Sequence, residues 1–457
     1  MRPIQSIDFI LIYVLFLGPL LLIGTLQAQT SYPPKDQQIN LQVSPSTGLY
    51  HKPVQINLSG LPPQTKVEIA VNAVDARQNK WTSWATFISD QAGNVNPAFS
   101  PSIAGTYTGI HPMGLFWSMQ SNDYHQITTS SGFNAVLSVE IDDKVITQTT
   151  IYRRSTRELD QLDINYQQKR DSIIADLYLP AKAKKSAAII FIGGSGGGFR
   201  QERSSLLANA GYAVLDLKYF RQASLPEGIV EIPLEYVAQA HQWLIDQPSI
   251  DPNNIIIMGR SRGSELALLY AAKYPGLRMV VAEAPSSVVW FGWAEHKSSW
   301  SYQGKPVPYA EYTDEASIRI EQELKDKGLQ YRDGPKFLSA FSSQEMIKTA
   351  SIPVEEIQCP ILLISGKDDQ VWPSSMMAQL IVDRLQQHEF NYEFLHLDYA
   401  NAGHNFGGGG QGCGIPFLPP ENYAQGGAAK GGTTKGNALA ASQSWAALLS
   451  FIKRHLR

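Results

Sequence analysis

The sequence has 457 residues, a formal net charge of −3 and a pI near 6.3. This balance, without basic runs interleaved with aromatic residues, excludes the electrostatic footprint of a nucleic-acid-binding protein. Two cysteines, Cys359 and Cys413, are too few for a disulfide scaffold or a zinc site, although they could pair in an oxidising compartment. No metal or cofactor is predicted.

The first residues resemble an export signal. Arg2 precedes a long apolar stretch at residues 9–24, and Ala28 then offers a small residue for cleavage. Residues 1–28 are predicted to be a signal peptide, which places the mature chain in the periplasm or outside the cell. Because the stretch is long for a signal peptide, the alternative is an uncleaved anchor that associates with the membrane through residues 9–24.

Residues 36–150 are predicted to form an antiparallel β-sandwich of the immunoglobulin-like kind. Apolar and polar residues alternate, or nearly so, in runs separated by Pro/Gly turns, and these runs lie at residues 39–43, 54–58, 67–71 and 136–141. Short strands of period two at this spacing are typical of a sandwich. No candidate catalytic residue falls inside it, so we expect it to shape or cover a site formed elsewhere.

Residues 160–457 have a different pattern, in which strands and helices alternate. Apolar runs of strand length lie at residues 188–193, 212–217, 254–258, 279–284, 361–365 and 392–397. Helical stretches lie at residues 201–210, 235–247, 265–273 and 440–456. Alternation of this kind predicts an α/β fold with a mostly parallel sheet and helices on both faces.

Two segments of this domain fit the pattern Gly-x-Ser-x-Gly after an apolar strand. In Gly259–Gly263 the strand breaks at the motif and a helical apolar period follows at once, which is the layout of a nucleophile elbow. Ser261 is therefore the predicted nucleophile. Gly193–Gly197 lacks such a helix, so Ser195 is interpreted as part of a glycine-rich loop that donates a backbone N–H to an oxyanion, or as a plain flexible turn.

An acid and a base in the expected order follow the elbow. A buried strand ends at Gly366, and the turn after it carries Asp369, the predicted orienting acid, with Asp368 as the alternative. His404 lies in a loop after the next strand and is the predicted general base. Among other histidines, His396 alternates within a strand and His241 lies on a helix, whereas His296, in an inserted segment, is the one serious rival.

Arginines flank the predicted nucleophile on both sides. The backbone N–H of Arg262, the residue after Ser261, is expected to complete an oxyanion hole with an N–H from the Gly194-Ser195 turn. The side chains of Arg260 and Arg262 either attract an anionic substrate group or form salt bridges to neighbouring loops. A glycine-rich tract at residues 407–436 follows His404 and either shapes the acyl pocket or serves as a connector.

Taken together, these segments resemble the acyl-CoA thioester hydrolase / bile acid-CoA:amino acid N-acyltransferase family. The resemblance covers nearly the whole chain after the export segment, and it rests on Gly60–Pro63, Trp81–Phe87, Pro112–Met119, Gly193–Gly198, Tyr219–Pro226, Glu231–Tyr236, Ser299–Tyr309 and the elbow. It implies an α/β-hydrolase fold and an acyl-CoA thioesterase-like serine hydrolase, acting in fatty acid and acyl-CoA metabolism, with the triad Ser261, Asp369 and His404.

The type of nucleophile narrows what the resemblance implies. In this family a cysteine at the elbow is associated with acyl transfer to amino acids, and a serine with hydrolysis. The expected substrate is a small-molecule acyl thioester or ester that passes through an acyl-enzyme. An exported enzyme would not ordinarily meet acyl-CoA, so the alternatives are an exported carboxylesterase or peptidase-like hydrolase, and a non-catalytic binding protein on the same scaffold.

Overall fold

The computed structural model describes residues 38–121, 131–159, 162–182, 185–294, 296–406 and 429–456. The predicted export segment at residues 1–28 and Cys413 lie outside these ranges. Within them no helix combines the length and hydropathy that a bilayer span requires. The same residues contain no group of histidine, cysteine and acidic side chains that could hold a metal ion.

The front part of the described chain is almost entirely β-structure. Its elements are β1 (Asn40–Ser44), β2 (Thr47–Leu49), β3 (Gln55–Ser59), β4 (Lys66–Val74), β5 (Lys80–Ile88), β6 (Ala104–Gly105), α1 (Gly114–Trp117), β7 (Phe133–Ile141) and β8 (Lys144–Arg154). They form a six-stranded sheet in the order β2-β8-β7-β4-β5-β6 and a two-stranded sheet β1-β3. All of these pairs are antiparallel except β2-β8.

Alternating side chains of the two sheets meet in one core. Val67, Ile69 and Val71 of β4 point inward and are buried in the same cluster as Ile56 and Leu58 of β3. Residues between them on β4 face outward, because successive side chains of a strand point to opposite faces. This arrangement confirms the predicted antiparallel β-domain. Its last strand runs four residues past the expected end at residue 150, since its inward alternation continues.

The rest of the chain alternates strands and helices. Its strands are β9 (Ile164–Arg170), β10 (Ile174–Pro180), β11 (Ser186–Ile192), β12 (Ala213–Lys218), β13 (Ile232–Pro233), β14 (Ile250–Arg260), β15 (Met279–Glu283), β16 (Trp300–Tyr302), β17 (Lys305–Pro306), β18 (Ile361–Gly366) and β19 (Phe394–Tyr399). Its helices are α2 (Gln201–Asn209), α3 (Leu234–Ile245), α4 (Arg262–Lys273), α5 (Asp314–Asp326), α6 (Gly334–Ala340), α7 (Gln344–Ala350), α8 (Ser374–Gln387) and α9 (Thr434–His455), with a 3-10 turn at Val354–Glu356.

Eight of these strands form one sheet in the order β9-β10-β12-β11-β14-β15-β18-β19. Strand β10 runs in the opposite direction to the other seven strands of this sheet. Side chains of β14 alternate between two cores, with Ile255 and Ile257 on the face of α3, α4 and α8, and Ile256 and Met258 on the face of α2 and α9. Burial on both faces explains the continuous apolar run. The predicted α/β-hydrolase fold is confirmed.

Sequence periodicity missed three features of this domain. The hairpin β9-β10 has a largely exposed first strand whose residues give no apolar alternation. Helix α9 begins at Thr434, six residues before the predicted start, where the Thr433 hydroxyl caps it by accepting a hydrogen bond from Gly436 N at 2.9 Å. The elements of the inserted segment between β15 and β18, residues 284–360, are helices α5 to α7 and strands β16 and β17, which form a small sheet with β13.

The start of α4 touches the ends of β14 and β11 so closely that only glycine fits there. A Cβ on Gly259 would lie 2.0 Å from Gly263 O, and a Cβ on Gly263 would lie 2.3 Å from Ile192 O. Both values are far inside van der Waals contact with backbone atoms, which cannot rotate away. The two glycines therefore permit the sharp turn from strand to helix.

We predict that Gly259→Ala destabilises the protein by more than about 3 kcal/mol, because backbone must shift to accept the methyl group. Gly193→Ala is the matched control, since its Cβ would meet only the flexible side chain of Arg200, at 3.7 Å. Urea denaturation followed by tryptophan fluorescence measures both midpoints. Equal midpoints for the two variants would show that the close approach does not constrain the fold.

Candidate active site

Ser261 lies at the turn between β14 and α4, in a backbone conformation that side-chain-bearing residues rarely adopt. Its φ is 54° and its ψ is −124°. The turn is held by Ser261 N, which donates to Glu283 O at 2.9 Å, and by Ser261 O, which accepts from Ser264 N at 2.8 Å. Strain of this kind persists only where the surroundings impose it, and it is common at functional sites. The geometry is that of a nucleophile elbow.

Asp369 lies in the turn after β18 and its carboxylate is held on both oxygens. Its Oδ1 accepts from Val371 N at 3.0 Å and Trp372 N at 3.3 Å, while its Oδ2 accepts from the Ser374 hydroxyl at 2.6 Å. The same Oδ2 lies 2.8 Å from Nδ1 of His404. Both side chains are buried. This bond fixes one ring nitrogen of the histidine, so the other is directed away from the carboxylate.

Asp368, the alternative acid, points elsewhere. Its Oδ2 accepts from Gly432 N at 2.8 Å, and its other oxygen accepts from the side-chain amide of Gln370. Its role is to join the turn after β18 to the segment that precedes α9. Of the two neighbouring carboxylates, the structure therefore pairs Asp369 with the histidine.

The competing histidines are engaged at other places. Nδ1 of His241 lies 2.9 Å from the Tyr270 hydroxyl, and His396 shares a 2.7 Å hydrogen bond with Ser365. His296 is exposed, with Glu311 at 3.4 Å as its neighbour. The structure thus places a buried carboxylate next to His404 alone among these four.

The loop that carries His404 is braced from two directions. His404 N donates to Lys430 O at 2.7 Å, which brings residues 429–433, the described end of the glycine-rich tract, against the site. From the other side the Arg260 guanidinium donates to His404 O at 3.0 Å and to the side chain of Asn405. The residue before the elbow serine is therefore bonded directly to the histidine loop, a contact that sequence spacing did not reveal.

The glycine loop, residues 193–198, borders Ser261. A Cβ on Gly194 would lie 3.1 Å from Ser261 Cβ and 3.6 Å from its Oγ. The loop is anchored by the Tyr219 hydroxyl, which donates to Gly193 O at 2.9 Å, and by a turn in which Gly197 N donates to Gly194 O at 3.2 Å. Ser195 lies in that turn and is exposed. The loop thus presents backbone next to the serine oxygen.

Arg262 is the first residue of α4. Its backbone N–H belongs to the first turn, whose N–H groups have no hydrogen-bond acceptor within the helix. Its side chain is buried and occupied, with Nη1 3.0 Å from Glu265 Oε2 and Nη2 donating to Phe291 O at 2.9 Å. Glu265 in turn accepts from Trp300 Nε1 at 2.6 Å. Burial raises the pKa of Glu265 to about 7, against the opposing effect of Arg262. This arginine therefore binds the insertion to the elbow instead of facing the site.

An aromatic cluster lies beside the histidine. The rings of Trp372 and His404 are 6.0 Å apart and nearly perpendicular, and Phe337 lies 5.9 Å from Trp372. Trp290 packs edge-on against Phe337 at 4.7 Å. The insertion, which includes α6, supplies Phe337 and Trp290, so it packs aromatic side chains behind Trp372 on the histidine side.

Two family profiles match the chain. Residues 232–457 match the profile described as BAAT / Acyl-CoA thioester hydrolase C terminal, and residues 51–165 match Acyl-CoA thioester hydrolase/BAAT N-terminal region. The second match covers most of the β-domain and the residues that follow β8, up to residue 165. The first spans the elbow, the acid turn and the histidine loop.

Two curated relatives match over almost their full length. Acyl-coenzyme A amino acid N-acyltransferase 2 of Mus musculus is 29% identical over 437 residues, covering 92% of this chain and 98% of the relative. Acyl-coenzyme A thioesterase 6 of Homo sapiens is 24% identical over 420 residues, covering 89% and 94%.

Among solved structures, a puromycin-hydrolyzing peptidase of Mycobacterium tuberculosis superposes with a TM-score of 0.41 at 13% identity. That match covers 84% of this chain and 53% of the other. The two profiles fall on the two domains described above. The chain is an enzyme of the hydrolase class and belongs to the acyl-CoA thioester hydrolase / bile acid-CoA:amino acid N-acyltransferase family.

Proposed function

We propose that the protein is a serine hydrolase that cleaves acyl thioesters through Ser261, His404 and Asp369. The observation that carries the proposal is the 2.8 Å contact between His404 Nδ1 and Asp369 Oδ2, on a loop bonded to Arg260, the neighbour of a serine held at positive φ. A carboxylate on Nδ1 keeps the ring in the tautomer whose Nε2 can accept a proton. A serine at an elbow projects its hydroxyl from the carboxyl end of a strand, where it can attack a carbonyl.

The reaction would proceed in two halves. His404 removes the Ser261 proton while the serine oxygen attacks the acyl carbonyl, and the resulting imidazolium protonates the departing thiolate. The acyl-serine ester is then attacked by a water molecule that His404 deprotonates, which releases the acid and restores the serine. In each half the oxyanion would accept hydrogen bonds from the N–H of Arg262 and from one of Gly194 or Ser195.

Several features support a thioester as the substrate. Curated relatives are named acyl-coenzyme A thioesterases. Family resemblance associates serine at the elbow with hydrolysis. Water resolves the oxygen ester of an acyl-serine readily once a histidine activates it.

A second candidate is an exported carboxylesterase or peptidase-like hydrolase with the same triad. It is favoured by the apolar stretch at residues 9–24, which we propose either exports the protein or anchors it to the membrane. Outside the cytoplasm the enzyme would not ordinarily meet acyl-CoA. An ester or amide would then occupy the same site, and the chemistry at Ser261 would be unchanged.

We predict that the protein hydrolyses long-chain acyl-CoA, and that Ser261→Ala lowers kcat by about 10⁴-fold or more because the acyl-enzyme cannot form. Thiol release is measured with a chromogenic disulfide, in parallel with p-nitrophenyl esters and aminoacyl amides. Ester or amide turnover without thioester turnover would support the second candidate. Rates unaffected by the substitution would exclude Ser261 as the nucleophile.

We predict that Asp369→Asn lowers kcat by about 10⁴-fold, since an amide stabilises the wrong histidine tautomer and cannot balance the imidazolium. Asp368→Asn is the matched control, because Asp368 bonds Gly432 N and not the histidine. It should retain activity within a factor of a few. If the two substitutions had equal effects on kcat in correctly folded protein, the assignment of the acid would be wrong.

A further inference from the structure

The side chain of Arg200 folds back along the glycine loop. A Cβ on Gly193 would lie 3.7 Å from Arg200 Nε, and a Cβ on Gly196 would lie 3.1 Å from its Nη2. Gly194, between these two positions, is the residue that lies against Ser261. The guanidinium therefore adjoins the loop that borders the nucleophile, and it is half-buried there.

Carboxylates on the neighbouring segments each have a cation of their own. These ion pairs are Asp216 with Lys218 at 2.5 Å, Glu283 with Arg203 at 2.5 Å, and Glu202 with Arg157 at 2.9 Å. The backbone N–H of Arg200 donates to Asp216 Oδ2 at 2.6 Å. Its guanidinium forms neither an ion pair nor a hydrogen bond within the part of the chain that the structure describes.

Positive charge is in excess at this place. Arg260 donates to a carbonyl and an amide oxygen, which leave its charge unbalanced. Burial lowers the pKa of Arg260 to about 10, and the nearby Arg200 and Arg203 act in the same direction, against Glu283 and Asp369. Among the described residues of this cluster, three guanidinium groups are thus accompanied by two carboxylates, Glu283 and Asp369, and Asp369 is already bonded to His404. A half-buried guanidinium without a partner is uncommon in proteins, because burial removes water that only an acceptor can replace.

We propose that Arg200 binds a carboxylate carried by the substrate close to its scissile carbonyl. The planar guanidinium matches a carboxylate in a two-pronged hydrogen bond. Arg200 adjoins Gly193 and Gly196, which are one and two residues from Gly194, the residue against Ser261. At about 3.8 Å for each residue, the bound group would lie on the order of 10 Å from Ser261. The diphosphate of CoA is separated from its thioester by the longer pantetheine arm, so the acyl chain or a small leaving group carries the anion. This inference rests on the proposed hydrolysis at Ser261.

Matched pairs of charged and neutral substrates test the proposal. Mono-p-nitrophenyl suberate against p-nitrophenyl octanoate places a carboxylate on the acyl side, and S-octanoyl thioglycolate against its methyl ester places one on the leaving group. In at least one pair Arg200→Gln should lower kcat/KM for the charged member about tenfold or more, through KM, and leave the neutral member unchanged. Arg200→Lys should restore part of the loss. The pair that responds identifies the side that carries the carboxylate.

Arg221→Gln is the control variant, because Arg221 lies at the outer flank of the same loop, exposed and stacked 4.7 Å over Trp293. Arg221→Gln should leave the kcat/KM ratio of the charged to the neutral substrate unchanged in every pair. The proposal is overturned if Arg200→Gln affects charged and neutral substrates equally, affects neither, or acts no differently from Arg221→Gln. It is also overturned if the only kcat/KM ratio that Arg200→Gln changes is that of octanoyl-CoA to the neutral octanoyl thioester of N-acetylcysteamine.

The neutral ester separates this inference from the function on which it rests. Turnover of p-nitrophenyl octanoate by the unmodified enzyme, abolished by Ser261→Ala, shows that hydrolysis at the serine is intact. If Arg200→Gln then loses the preference for charged substrates, the substitution affects substrate recognition and not the hydrolysis itself. Absence of Ser261-dependent turnover of any substrate would contradict the proposed function, and the carboxylate site with it.

Discussion

The close approach of α4 to the ends of β14 and β11 is the constraint on which the rest of the site depends. Two glycines allow backbone to meet backbone there, and the chain between them adopts a tight turn conformation. That conformation holds Ser261 at positive φ at the carboxyl edge of the sheet. Neighbouring strands end at the same edge, so the acid turn, the histidine loop and the glycine loop converge on the serine.

Each of these loops is held by contacts from a different part of the chain. The end of the glycine-rich tract binds both the turn of Asp368 and the backbone of His404. Arg260 joins the elbow to the histidine loop, while the buried pair of Arg262 and Glu265 joins the elbow to the insertion. A preorganised site of this kind places its groups before the substrate arrives, which is the main requirement for electrostatic catalysis.

Much of the fold was predictable from periodicity. The buried parallel strands have continuous apolar runs, and the β-domain alternates with period two, so both domains were recognised from their patterns. The hairpin β9-β10 and the early start of α9 were missed because exposed or glycine-rich residues give no apolar period. For the site, order along the chain indicated Ser261, Asp369 and His404. Long-range partners such as Arg260 with His404, or Lys430 with His404, have no local signal, since folding alone brings them together.

The proposed hydrolysis requires a serine that reacts as an activated nucleophile in the folded protein. Labelling with a fluorophosphonate probe, followed by peptide mass spectrometry, tests this most directly, because the probe forms a stable adduct only with a serine that a neighbouring base activates. We expect one adduct, on Ser261, that is lost when the protein is unfolded before labelling. Absence of labelling in the folded protein, or an adduct on Ser195 instead, would contradict the assignment of the catalytic centre.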